Sequence, residues 1–277
     1  MGSKVSKAKR PTHSKTEKGI APRIPLDIIN EILDHFANDS DLRSLRACAL
    51  ISKSWVQPSQ HRLFHTIFFA PWSATKWLKT FPVREASPAH HVRHLYLRIG
   101  LVVRIPKEFF KCIPWFTEVD RMTILGHGGV PLGSGGVSSS PEPSFWNLPK
   151  SVTSLTIDTD VITLVQVRDI MAQLPNLKDL ALLDSLVEAD RAKLRGIGTV
   201  LTGRFCGRLK LSGGGAGEDV VNMLLEIPSG LHFSELVIRC THSRLPPWAV
   251  RLAEACSKSL VKLSHTVDYN RKSYPFP

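Results

Sequence analysis

A short pattern, aliphatic-any-aliphatic, recurs from His90 to near the C-terminus at spacings of 25 to 33 residues, and no other feature of this 277-residue chain restricts its fold as tightly. The units are Leu95-Tyr96-Leu97, Met122-Thr123-Ile124, Leu155-Thr156-Ile157, Leu180-Ala181-Leu182, Leu209-Lys210-Leu211, Leu236-Val237-Ile238 and one begun by Leu263. Each triplet suits a short strand whose alternate residues face a core. Between them Lys107 to Phe116, Leu164 to Leu174, Glu188 to Leu201, Asp219 to Ile227 and Pro247 to Ser257 carry helical patterning. Ser185 and Glu188 have capping-box spacing, and Pro247 opens the last helix where a missing N–H is no loss. Strand and helix alternating at this period predict a parallel sheet with helices outside, because a parallel return needs a crossover of that length. The longest spacing holds a Gly, Ser and Pro tract over 126–144, which reads as a flexible surface insertion. An ordinary α/β domain with evenly spaced strands is the other account of the same pattern.

Ahead of this region, 24–69 reads as a packet of short helices carrying more apolar surface than it can bury alone. Pro25 suits a first helical turn, and Ile28, Ile29, Ile32, Leu33 and Phe36 form a broad apolar stripe behind it. Asn38 to Asp41 supplies a break and a choice of N-caps, so the Asn38-Asp39-Ser40 sequon is read as helix punctuation. Leu42, Leu45, Ala49 and Val56 then line one side of a second helix, with Cys48, Leu50, Ile51 and Trp55 around the rest. A helix apolar nearly all round is normally covered on two sides, which points to a partner.

The Ile24-Pro25 opening, the run from Ala47 to Trp55 and the Leu63-Phe64 exit stand in the order found in the F-box family, which this segment resembles over about a sixth of the chain. It has Ile24 where that family usually begins with Leu. The resemblance implies docking onto the Skp-type adaptor of a cullin ubiquitin ligase through Ile24, Pro25, Ile28, Ile29, Ile32, Leu45, Cys48, Leu50, Ile51 and Trp55. The later units resemble the leucine-rich-repeat domains that follow many F-boxes, without that family's Asn at the usual turn. The expected fold class is therefore α+β or α/β: a three-helix F-box at 24–69, a linker at 70–89 and a leucine-rich-repeat-like α/β solenoid at 90–277. Such a chain would be a non-catalytic subunit holding a target protein near ligase-bound ubiquitin.

Half of the formal charge of +12 lies in residues 1–23, where seven cations face Glu17 alone. That tail is too polar to offset the entropy of ordering and reads as disordered. It begins Met1-Gly2-Ser3-Lys4-Val5-Ser6, a myristoylation pattern at Gly2 with Lys7, Lys9 and Arg10 as the second membrane signal that one acyl chain needs. Five scattered cysteines without a C-x-x-C pair fit a reducing compartment, and no apolar run is long enough to span a bilayer. Cytoplasm or nucleus is the expected location, with an acylated pool at a membrane as the alternative.

On the face of each strand away from the core, His94, Tyr96, Arg98, Arg121, Arg208, Lys210 and Arg239 form the candidate target reader, with Asp158, Asp179 and Glu235 as acidic exceptions. A mostly basic surface suits an acidic or phosphorylated protein. Signals for chemistry are poor. His61 and His65 lack a third ligand, so no metal or cofactor is implied. Gly213 to Gly217 lacks the Lys-Ser or Lys-Thr of a phosphate loop, and Glu218 and Asp219 occupy the helix start that an anion would want. No DNA or RNA partner is expected on the main reading. The rival is a nucleic-acid-binding protein using the basic tail with Trp72, Lys76, Trp77, Lys79, Phe81 and Arg84, where aromatics stack on bases and cations meet phosphates.

Overall fold

The computed structural model describes residues 24–99, 107–126, 147–159, 164–183, 206–212, 217–240 and 243–267. Within them the protein is a mixed α/β structure with eight α-helices and one eight-stranded, wholly parallel sheet. Helices α1 (Leu26–Asn38), α2 (Leu42–Cys48) and α3 (Lys53–Leu63) come first. Strand β1 (Thr66–Phe69), helix α4 (Pro71–Thr80), β2 (His94–Arg98), α5 (Lys107–Cys112), β3 (Arg121–Gly126) and β4 (Ser154–Thr159) follow. The order closes with α6 (Leu164–Ala172), β5 (Asp179–Leu183), β6 (Arg208–Ser212), α7 (Gly217–Leu225), β7 (Glu235–Cys240), α8 (Pro247–Ala255) and β8 (Lys262–Val267).

The strands lie in chain order, each beside its sequence neighbour, and the expected triplets fall in one register. Leu95, Met122, Leu155, Leu180, Leu209, Leu236 and Leu263 form one row across the sheet, preceded by Ile67 of β1. Phe69, Leu97, Ile124, Ile157, Leu182, Leu211 and Ile238 form the next inward row. Apart from Leu263 on the last strand, which is 44 % exposed, these rows are buried or half-buried on the side that holds Phe109, Phe116, Val167, Ile170, Val221, Leu224 and Leu252, so the helices cover a single face of the sheet. Among the described residues, no helix covers the other face.

A repeated backbone fork fixes that register. The carbonyls of His65, Arg93, Asp120, Thr153, Gly207 and Ser234, each just ahead of a strand, accept two successive N–H groups from the start of the next strand at 2.8–3.3 Å. At the β5–β6 step, Lys178 O accepts from Arg208 N–H at 3.0 Å. The chain passes so close there that a Cβ on Gly207 would lie 2.2 Å from Lys178 O, a backbone atom that cannot yield.

Two expected boundaries change. Thr66–Phe69, read as the end of the helical module, is the first strand of the sheet; an apolar run of four residues has no period of its own to distinguish strand from helix exit. Residues 70–89, read as a linker, hold α4, whose Ala74 is fully buried and whose Trp77 packs edge-on to Phe69 with ring centroids 5.8 Å apart. Ser73 Oγ starts this helix by accepting from Ala70 N–H at 3.0 Å and donating to Ala70 O at 2.7 Å. The helix expected to run to Phe116 stops as α-helix at Cys112 and tightens into a 3-10 turn over Ile113–Trp115, because Pro114 disfavours helical backbone before it. The second helix expected through Val56 breaks at Ala49 to Ser52 into α2 and α3. The helix expected over Glu188 to Leu201, the basic tail with Gly2, Gly213 to Gly215 and all of the 126–144 tract beyond Gly126 lie outside the described residues.

The first three helices have a core of their own: Ile29, Leu33, Leu45, Cys48 and Trp55, with Ile32, Phe36, Ala37 and Leu63 packed around it. Arg62 ties α3 to α1 through Nε to Asp34 Oδ1 at 2.7 Å and Nη2 to Asn30 O at 3.3 Å. That guanidinium holds the Asp34 carboxyl below its usual range.

Gly207→Ala is expected to cost about 1–3 kcal/mol, the usual range for forcing atoms into filled space. A lowered urea midpoint with faster amide exchange at the β5–β6 step would show it; an unchanged midpoint would mean that the two backbones can part cheaply.

Candidate interaction surfaces

The helical packet divides the nominated adaptor residues by depth. Ile29, at 2 % exposure, and Leu45, Cys48 and Trp55 form its core, with Ile32 half-buried against them. Ile24, Pro25, Ile28, Leu50 and Ile51 are exposed, Ile28 at 45 % and Leu50 at 87 %. Successive helical residues point about 100° apart, so Ile28 and Ile29 cannot share a face. The structure adds Leu26 and Leu42 to the exposed set. Leu42 stands outward because Asp41 caps α2, accepting from Ser44 N–H at 3.0 Å, and leaves its first residue at the surface. Six large aliphatics therefore lie open on a packet whose own core contains five buried residues.

The open face of the sheet is assembled by register. One row crosses it as Phe68, Tyr96, Thr123, Thr156, Ala181, Lys210, Val237 and Ser264. Beside it run His94, Arg121, Ser154, Asp179, Arg208, Glu235 and Lys262. At the β1–β2 end the rings stack: Phe68 on Tyr96 at 4.4 Å and 12°, and Tyr96 on His94 at 4.1 Å and 29°. His94 Nε2 is 3.0 Å from Thr123 Oγ1, and Arg98 lies 5.9 Å over the ring of Trp72. Phe68 and Trp72 are 69 % and 59 % exposed. Phe68 escapes a reading of 66–69 as helical exit, because an unbroken apolar run carries no signal that sets it apart from Ile67 and Phe69.

Toward β4–β7 the face sinks into a hollow of about 370 Å³, lined by Thr156, Asp179, Ala181, Arg208, Lys210 and Arg239 among others. Ala181 is the short side chain in its row and makes the depression. The acidic exceptions are partly neutralised in place, since Arg208 reaches Asp179 at 3.6 Å and Glu235 at 3.9 Å, and Lys262 reaches Glu235 at 2.9 Å. Lys262 and its neighbours hold the Glu235 carboxyl below its usual range. The nominated reader thus falls into two groups, His94, Tyr96 and Arg98 at one end and Arg208, Lys210 and Arg239 at the other. Arg121, 3.8 Å from Asp120, lies beside His94.

Of the stretch nominated for nucleic acid, Trp77 packs on Phe69, Phe81 and Phe116. Phe81 stacks within that group, which leaves Trp72 as the exposed ring. Strand pairing also brings Cys240 Sγ to 2.9 Å from His265 Nε2, a meeting of residues 25 apart that no local motif announces. Cys240 is 8 % exposed and His265 half-buried. No group of three His, Cys, Asp or Glu side chains suited to a metal occurs among the described residues, and no helix there is long and apolar enough to cross a membrane. The chain matches no protein-family model, and a search of curated proteins gives no significant match.

Between the two surfaces sits a histidine cluster. His61 of α3 lies 6.3 Å from His65 and 6.0 Å from His91, and His90 lies 3.9 Å from His91. Burial pushes the His61 imidazole down, with added repulsion from His65, Arg62 and Arg93 against the pull of Asp34. Burial likewise lowers His91, aided by His90 and His61, and lowers His94, aided by Arg121. Native imidazoles thus bind fewer protons than unfolded ones, so stability rises with pH through this window. Unfolding free energy is expected to stay level above the ordinary value of 6.5 and to fall as pH drops below it. Denaturant titrations from pH 8 down to about 5 check this, and His91→Asn should flatten the decline.

Proposed function

We propose that this chain is a bridging adaptor of the F-box class, with α1 to α3 docking a Skp-type adaptor and the sheet domain, a degenerate leucine-rich-repeat-like solenoid, holding a target protein. The observation that carries this reading is the ledge of Ile24, Leu26, Ile28, Leu42, Leu50 and Ile51 on a packet that already has a complete small core. Side chains buried for folding and side chains left open are different residues, so the open ones are available to a second protein. Five of the six are 45–61 % exposed, so covering each would contribute about 1 kcal/mol, and the set several, against the cost of immobilisation.

Such a chain acts by proximity. Holding a target lysine near a ligase-bound ubiquitin raises effective concentration, which requires two binding faces and no reacting group of its own. The cytoplasm or nucleus is the compartment this role requires, and the open sheet face, with more cations than acids around its hollow, suits an acidic or phosphorylated target.

Ile28→Lys combined with Leu50→Lys is expected to abolish copurification of a Skp-type adaptor while leaving stability within about 0.5 kcal/mol, since both residues are exposed. Ile29→Lys buries a charge in the packet core and serves as the unfolded comparison. Undiminished pull-down of the adaptor by the double variant would refute the assignment.

A further inference from the structure

The sheet has two edges, and they differ. β1 has four residues, whereas β8 runs for six, Lys262–Val267, without proline, and no strand lies beyond it among the described residues. An edge of that length is usually blunted, because its unpaired N–H and C=O groups template further pairing. One bond shows where those groups point. Lys262 N–H donates to Ser234 O, just ahead of β7, at 3.0 Å, so alternation along the strand turns the N–H and C=O groups of Leu263, His265 and Val267 to the outer side. The side chains agree. Leu209 and Leu236, in the same row on β6 and β7, are 1 % and 0 % exposed, whereas Leu263 is 44 % exposed. Beside it, Val261 is 86 % and Val250 of α8 44 % exposed. The ring of Trp248 lies against Gly217 and marks the α7 side of α8. Val250, two residues on and about 200° around the helix, therefore faces away from α7. The core is open where the sheet edge is open.

We infer that β8 pairs antiparallel with β8 of a second copy of this chain, joining the two sheets into one across a two-fold axis. An axis normal to the sheet keeps the helices of both copies on one side, so directly opposite residues must share a face. Centring it on His265 sets Leu263 opposite Val267 and Ser264 opposite Thr266, each twice. Apolar then meets apolar toward the helices, and hydroxyl meets hydroxyl on the other face. The outward N–H and C=O groups of Leu263, His265 and Val267 pair with one another in the same register. Lys262, which Glu235 already holds at 2.9 Å, comes opposite the position of Asp268, the next residue in the sequence after β8, so unlike charges meet. Centring the axis on Ser264 instead would set Leu263 against His265 and Lys262 against Thr266, losing both matches.

A strand from an unrelated protein could use the same backbone groups, but the match of this strand to its own reverse favours a second copy. Because β1 lies at the other end of the strand order, the two helical packets would stand at opposite ends of the joined sheet. The dimer would present two of every surface, which raises the effective concentration for a partner with two sites.

The test is sedimentation equilibrium of the purified full chain across the micromolar range. A species of twice the 30.8 kDa chain mass is expected. Leu263→Lys should weaken dimerisation about tenfold or more, because it sets a charge against an apolar side chain at the interface twice over. Adding Val267→Glu to that variant should restore the dimer, since each introduced lysine then faces the introduced glutamate of the other copy. Within one chain the two sites are four residues apart along a strand, about 13 Å, and cannot pair. Restoration therefore also rules out misfolding as the cause of the first loss. A chain that stays monomeric throughout, a Leu263→Lys dimer of undiminished strength, or failure of the charge pair to restore association overturns the proposal. So does loss of the dimer in Ile28→Lys with Leu50→Lys, which would place self-association on the helical packet instead. Since no adaptor is present, the result stands apart from the adaptor-binding test above.

Discussion

The carbonyl just ahead of each strand accepts N–H groups from the start of the next strand, and the residue bearing it donates in turn to the strand before. Because Arg93, Asp120, Thr153, Lys178 and Ser234 each do both, neighbouring strands are locked in phase like links of a chain. A slip by a single residue would exchange the two faces of a strand and put its leucines in water. The fork therefore decides more than backbone pairing. It determines which side chains can meet across 25 to 33 residues of sequence.

With phase set, the division of labour between faces follows from alternation. Leu95, Leu155, Leu180, Leu209 and Leu236 turn to the helices and are almost completely buried, while His94, Tyr96, Thr156, Lys210 and Arg239 turn to the open side. The core row is monotonous, which parallel neighbours of equal length permit. The open row is varied, since no described helix packs upon it. Variety on an unburdened face is what allows an aromatic shelf and a cationic hollow to occupy the same sheet without disturbing the fold.

The helical packet adds a second, separate core and is joined to the sheet through α3, His65 and the turn over Pro88–His91. This junction holds His61 and His91, whose rings lie 6.0 Å apart and whose imidazoles burial and mutual repulsion push toward the neutral form. The His65 carbonyl, which accepts from both Arg93 and His94 N–H at 2.9 Å, holds the end of the packet to the start of the second strand of the sheet.

Much of this was written in the linear pattern. Strand phase, seven of eight strands, parallel pairing and four of the intervening helices follow from period and turn chemistry, because both are properties of near neighbours. The first strand was not legible, since Thr66 to Phe69 is too short to show a period, and α4 was hidden behind Pro71 in a stretch that resembles a linker. Sequence also marked 24–69 as over-apolar, yet it could not sort Ile28 from Ile29, because inside and outside on a helix depend on where the neighbouring helices stand. Tertiary structure alone stacked Phe68, Tyr96 and His94, opened the hollow over Ala181 and paired Arg208 with both Asp179 and Glu235. Except for His94 on Tyr96, two residues of one strand, those contacts join different strands, and only the register between strands, a long-range backbone constraint, brings their side chains within reach.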